Sequence, residues 1–150
     1  MADIPDLDST VAIVFTSTGK PTKDFYNWLK QVSSFASAWT TYTPTVSANS
    51  GTVTSYTSTG TFKQMGKTVF VQIQVTITNA GTAGGNINAS LPVAAPTTPT
   101  QIITGRESAL TGNTLNGVIS GSNVAIVYYN NTFPGATGAV LNIGGTYQAA

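Results

Sequence analysis

Residues able to perform acid–base, nucleophilic or metal chemistry are scarce in this chain. It contains no histidine and no cysteine, so it lacks the commonest general base, the commonest metal ligand and a thiol nucleophile. After residue 40 the sole carboxylate is Glu107, next to Arg106, whereas a glycosidase needs two carboxylates that face each other. The sequence therefore predicts a protein that is not an enzyme and that needs no cofactor.

A small acidic cluster lies near the N-terminus, at Asp3, Asp6 and Asp8. Carboxylates can bind Ca²⁺, but this spacing lacks the glycine and the distal glutamate of a calcium-binding loop. No glycine-rich phosphate-binding motif occurs elsewhere in the chain. We therefore expect no metal here, and interpret the cluster as a solvated segment or as a docking segment for another protein.

A second group of residues could recognise a ligand at the end of a predicted strand. It combines aromatic and amide side chains, at Tyr128, Tyr129, Asn130, Asn131 and Phe133. Aromatic faces and asparagine amides suit a sugar ring, and aromatic residues also anchor protein interfaces. The alternative interpretation is a strand with one inward-facing tyrosine, followed by an ordinary loop.

The charge of the chain limits its partners. Only 7% of the 150 residues are charged, against roughly a quarter in an ordinary soluble domain. The six basic residues are spread thinly and the net charge is +1, so we expect no nucleic-acid partner. A surface of threonine, serine, asparagine and glutamine tolerates close packing of subunits, and the composition therefore favours an oligomer.

The only continuous apolar run near the N-terminus covers residues 11–15, and no basic region precedes it. It is too short for a signal peptide or a membrane span. We therefore expect synthesis in a cytoplasm, without membrane insertion.

The elements that carry these residues divide the chain in two. Seven of the eleven charges fall within residues 1–39, which predicts an N-terminal segment at 1–39 and a β domain at 40–150. In the first, Pro21 and Thr22 suit the start of a helix over about residues 22–38. Apolar residues then recur at spacings of 4, 3, 4 and 3, as in a coiled-coil seam, at Phe25, Leu29, Val32, Ala36 and Trp39.

The apolar stripe of this helix, widened by Trp28 and Phe35, must be buried, because a helix of about 17 residues is marginal alone in water. It could pack on its own β domain. It could instead pack on the helices of sister chains, and three chains would then be the natural number. The seam residues are in that case the oligomer interface.

The β domain is predicted from alternating residues. The clearest strand covers residues 68–78, where apolar and mostly polar residues alternate with a period of two. Residues 60–64 are its predicted partner, with a hairpin turn at Met65 and Gly66. This spacing predicts an antiparallel β-sandwich of the jelly-roll type, with further strands at 40–46, 53–60, 87–91, 101–106, 115–119, 124–129 and 140–147.

Three stretches of the chain resemble known proteins. Residues 39–46 (WTTYTPTV), 60–69 (GTFKQMGKTV) and 87–93 (INASLPV) are similar to the small β-domains of structural proteins from tailed-bacteriophage virions. Residues 19–28 resemble the N-terminal segments of phage fibre-like proteins. The resemblance covers roughly residues 18–93 and implies a homotrimer on the virion surface, with an N-terminal attachment part and a β-rich outer head.

Two roles follow from this resemblance. The first is a short tail fibre or receptor-binding appendage that docks on other virion proteins and contacts a host surface glycan. The second is a head decoration protein that binds and stabilises the capsid. The resemblance carries over no individual binding residue. A soluble carbohydrate-binding module that binds through residues 128–133 is the alternative from another class.

Overall fold

A computed structural model describes residues 23–35 and 38–150 of the chain. The chain divides into two units between Ala38 and Trp39. The first unit contains the helix α1 (Lys23–Phe35). The seam position Ala36 and the acidic cluster Asp3, Asp6 and Asp8 lie outside the described residues.

The second unit contains one antiparallel sheet, whose strand order is β1-β3-β4-β9-β6-β7-β8-β5-β2. The predicted mainly-β antiparallel fold with one N-terminal helix is confirmed. The described strands are β1 (Thr40–Tyr42), β2 (Val46–Ser50), β3 (Ser55–Met65), β4 (Thr68–Asn79), β5 (Gly84–Ser90), β6 (Gln101–Glu107), β7 (Thr114–Ser120), β8 (Asn123–Tyr128) and β9 (Val140–Gln148).

The sheet curls because two strands that follow each other in the chain lie at its opposite edges. Only residues 43–45 separate β1 from β2, and the buried Pro44 stands between them. The backbone N–H of Ser90 in β5 donates to the Thr45 carbonyl (3.0 Å), and the Thr45 N–H donates to Ser90 Oγ (2.9 Å). The Val46 N–H donates to the hydroxyl of Tyr56 in β3 (3.2 Å). The Thr45–Ser90 bonds extend the pairing of β2 with β5, whereas the Val46–Tyr56 bond joins the two edges of the sheet.

Two strand predictions were wrong in their bounds. Residues 40–46 are not one strand, because proline has no N–H for a sheet ladder and the chain changes edges at Pro44. Residues 53–60 and 60–64, predicted as separate, belong to the continuous strand β3. The predicted hairpin is present, but its turn lies one residue later than predicted, at Gly66 and Lys67, because Met65 still pairs with Thr68. Gly66 adopts a φ of 60° at the first turn position.

The core lies inside the curl. The alternating apolar residues of β4, from Val69 to Ile77, are all buried, whereas Gln72 and Gln74 on the other face are exposed. Inward side chains from β5, β7, β8 and β9 complete the core, including Ile87, Leu115, Ile126, Leu141 and Ile143. The sheet therefore has an apolar inner face and a mostly polar outer face, on which Ile102 and Val118 are exposed apolar residues.

Close approach of β6 to β9 predicts that Gly105 tolerates no side chain. A Cβ atom at this position would lie 2.0 Å from the Asn142 carbonyl oxygen, which is part of the β9 backbone. We expect Gly105→Ala to lower the free energy of unfolding by about 2 kcal/mol, measured by urea denaturation. In the matched variant Gly84→Ala the nearest atom is the movable Ser50 Oγ, at 3.0 Å. Equal losses in the two variants would contradict this close approach.

Candidate functional site

Polar side chains on the outer face form two rows across four neighbouring strands. In the first row Thr61, Gln72, Gly144 and Thr104 are successive cross-strand partners on β3, β4, β9 and β6. The second row contains Thr59, Gln74, Asn142 and Arg106 on the same four strands. Side chains that are directly opposite on one face of a sheet lie close enough to act together.

Except for Thr104, the residues of these rows line an open groove of about 570 Å³, within the usual size range of small-molecule sites. Gly144 leaves room in the middle of the first row because it has no side chain there. The residues that line the groove are Thr59, Gly60, Thr61, Gln72, Ile73, Gln74, Gly105, Arg106, Asn142, Ile143 and Gly144.

Hydrogen bonds orient one side of this outer-face groove. Gln74 Nε2 donates to Asn142 Oδ1 (2.8 Å), and Asn142 Nδ2 donates to Ser108 Oγ (2.8 Å). The side chains of Gln72 and Arg106 make no hydrogen bond or ion pair with the residues that the structure describes. The groove thus combines a fixed amide pair with an amide and a guanidinium that are open to a ligand.

The carboxylate of Glu107, next in sequence to Arg106, faces the other way. It is fully buried. Its oxygens accept hydrogen bonds from the backbone N–H groups of residues 109–112, at 2.5 to 3.4 Å, and from the Val140 N–H at 3.1 Å. We call this arrangement the carboxylate nest. It ties the loop after β6 to the start of β9.

The nest fixes the protonation state of Glu107. Burial alone would raise the pKa of its carboxyl group, but the N–H donors of Thr111, Ala109, Val140 and Leu110 lower that pKa to about 2. An ionised carboxylate that is surrounded by its own donors cannot reach a substrate or exchange protons near neutral pH. Glu107 is therefore a structural anion.

The aromatic segment predicted to contact a ligand is divided between core and surface. Tyr128 is only 8% exposed, so its predicted role as a surface contact is wrong, and the alternative of one inward tyrosine describes it. Its hydroxyl lies 3.2 Å from Thr111 Oγ1, beside the carboxylate nest. Phe133 is half-buried and packs on the core. Tyr129 is 64% exposed and is the aromatic residue of this segment that a partner could reach.

The two asparagines of this segment lie in the turn that follows β8. Asn130 Oδ1 accepts from the Thr132 hydroxyl (2.6 Å), and Asn131 adopts a φ of 63° in the turn that follows β8. Both side chains are exposed. Asn130 therefore holds the turn, as asparagine commonly does.

The predicted helical seam is present in part on α1. Leu29 is 42% exposed and Val32 is also exposed, while Phe25 is half-buried and stacks on Trp28 with ring centroids 5.8 Å apart. Trp39, in the second unit, is exposed. Leu29 and Val32 are therefore the exposed apolar residues of the predicted seam on α1.

Sequence reasoning missed the groove. The outward position of Gln72 and Gln74 followed from the alternation in residues 68–78, but their neighbours Asn142 and Arg106 come from strands far along the chain. Only the strand order brings them together.

Within residues 23–35 and 38–150, no three acidic, histidine or cysteine side chains could share a metal ion. None of the described helices is long and apolar enough to cross a membrane. No family model, curated protein or solved structure matches the chain.

The carboxylate nest predicts a large effect of a small substitution. Glu107→Gln keeps the size of the side chain but removes its charge and turns an NH₂ group toward N–H donors. We expect the free energy of unfolding at pH 7 to fall by about 3 kcal/mol, measured by urea denaturation. Thr111→Val removes a hydroxyl donor but keeps the backbone donor, and should cost less.

The pH dependence of this loss provides the control. Because the folded pKa of Glu107 is lowered, its contribution to stability is complete above the ordinary carboxyl pKa of 4.5 and is lost as the pH falls toward about 2. The stability difference between wild type and Glu107→Gln should therefore shrink between pH 5 and pH 2. A constant difference over this range would show that the nest does not stabilise the charged form.

Proposed function

We propose that this chain is a non-enzymatic structural protein of a bacteriophage virion surface. In this proposal it is a homotrimer that acts as a short tail fibre or receptor-binding appendage, anchored by its N-terminal segment. The observation that carries the proposal is the exposure of the apolar residues Leu29 and Val32 at seam positions of α1. The sequence resemblance of residues 18–93 adds the virion setting.

The stripe supports self-association. The described helix has 13 residues, and a helix of that length is marginal in water unless its apolar face is covered. Phe25, Leu29 and Val32 follow each other at coiled-coil spacing on one face. Three copies of such a face can cover one another without another protein.

The β domain supports a binding role rather than a catalytic one. No buried side-chain nitrogen or oxygen atom of the described residues lacks a hydrogen-bond partner, so the inside of this domain is complete without a ligand. Its one carboxylate, Glu107, is enclosed in the nest. The outer face, with its groove and the exposed Tyr129, is what the domain offers to partners.

Head decoration is the second candidate function. It is favoured by the short connection between the two units, since α1 ends at Phe35 and β1 begins at Thr40. No long shaft separates the helix from the head, as a fibre that reaches toward a cell would have. A decoration protein would stabilise the capsid by binding its assembled lattice in preference to free subunits.

The trimer predicts a specific response to charge on the helix. Light scattering should give about three times the chain mass of 15.5 kDa, and Leu29→Asp should dissociate the trimer because a carboxylate cannot be buried in the seam without a partner. Asn27→Asp, on the polar side of α1, adds the same charge and should leave the trimer intact. A monomeric wild type, or an intact Leu29→Asp trimer, would contradict the proposed seam.

The place of the protein on the particle decides between the two virion roles. We expect gold-labelled antibody to mark the tail tip in negative-stain micrographs of the phage. Label spread over the head would establish decoration instead, and absence of label from intact virions would contradict the virion assignment. A monomer that is absent from virions but binds saccharides would point to the soluble carbohydrate-binding module.

A further inference from the structure

The outer-face groove carries a positive charge that nothing in its lining neutralises. Arg106 is the charged residue among the groove-lining side chains. Its neighbour Glu107, the sole carboxylate after residue 40, is sealed in the nest on the opposite face of β6. A guanidinium with open donors binds carboxylate or phosphate oxygens in a fixed fork geometry. The charge of the groove therefore favours an anionic group at the Arg106 end.

The remainder of the groove suits a ligand rich in hydroxyl groups. Threonine hydroxyls and glutamine amides each supply both donors and acceptors, and Thr59, Thr61, Gln72 and Gln74 present them in two parallel rows. The amide of Gln74 is already oriented by Asn142, so its position is set before a ligand arrives. Such preorganisation reduces the entropic cost of binding.

Other ligand classes fit this groove less well. Nucleic acid binding depends on several clustered cations, and one arginine lines the groove. An apolar ligand would bury the amides and the guanidinium without partners, at a cost in free energy. A ligand that combines hydroxyl groups with one carboxylate satisfies both the rows and the charge.

We propose that the outer-face groove binds an acidic saccharide, whose carboxylate pairs with Arg106 and whose hydroxyls bond to Gln72, Gln74 and Thr61. The role of this groove as the receptor contact of an adhesin rests on the proposed function. Its ability to bind a saccharide depends on the β domain alone. One open groove gives weak binding, and a trimer with three grooves would gain avidity from a polysaccharide that carries repeated acidic units.

The test titrates the full-length protein with four defined probes. They are tetragalacturonate, tetramannuronate, a hyaluronan tetrasaccharide and sialyllactose, each compared with its carboxyl-reduced form. We expect at least one acidic probe to bind with a Kd in the millimolar range or below, and to shift the amide NMR signals of Gln72, Gln74 and Gly144. The carboxyl-reduced form of that probe should bind at least about tenfold more weakly than the acidic form.

Matched variants assign the binding to the groove. Arg106→Gln should weaken the acidic probe about tenfold or more, with little effect on its reduced form. Lys67→Gln removes the same charge from the exposed hairpin turn after β3, and should leave binding unchanged. Gly144→Val, which places a side chain in the middle of the first row, should weaken acidic and reduced probes alike.

Three outcomes would overturn the inference: no binding of any acidic probe at about 10 mM, equal loss in Arg106→Gln and Lys67→Gln, or signal shifts confined to the Tyr129 loop. None of these outcomes depends on where the protein sits on a particle. Failure of the saccharide site is therefore distinguishable from failure of the virion assignment, which the antibody label tests.

Discussion

The closure of the sheet is the constraint on which the rest of the β domain depends. β1 and β2 are consecutive in the chain, yet they are the two edge strands of a nine-stranded sheet. Three residues cannot span an open sheet of that width, so the sheet must curl until its edges meet at Pro44. The hydrogen bond from the Val46 N–H in β2 to the Tyr56 hydroxyl in β3 then joins the two edges. Because the sheet curls in this way, one of its faces encloses the core and the other faces solvent.

The two faces that closure creates have separate tasks. The inner face holds the aliphatic core, and it also holds the carboxylate nest, in which backbone amides satisfy the charge of Glu107. The outer face carries threonine and amide side chains with very few charges. The core and the nest stabilise the fold from inside, and the side chains of the outer face, including those of the groove around Gly144, are available to partners.

Local pattern predicted the elements well and their assembly poorly. The alternation from Val69 to Ile77 fixed both the extent of β4 and its inward face, and Gly66 marked its turn. Strand order depends on which edges meet in space, and periodicity contains no such information. The extent of β2 was not predicted, because its sequence, VSANS, has little apolar alternation. The division at Pro44 was visible in the residue type, but its meaning required the partner strands.

The same limit explains the candidate sites. Residues 128–133 predict a ligand contact because aromatic and amide residues are adjacent in the sequence, yet Tyr128 is buried in the core. The groove could not be predicted from the sequence, because its residues lie far apart in the chain and each is an ordinary surface residue. They include Thr61, Gln72, Arg106 and Asn142. Their importance comes from register alone.

The adjacent charges on β6 have one more consequence. Arg106 faces outward and Glu107 faces inward on a strand that pairs with β7 on one side and β9 on the other. A slip of β6 by one residue would exchange these faces. It would then press a guanidinium, which has no acceptor atoms, against the inward-pointing amides, and it would leave those amides without their anion. The pair therefore opposes misalignment of β6, in addition to the close approach of Gly105 to β9.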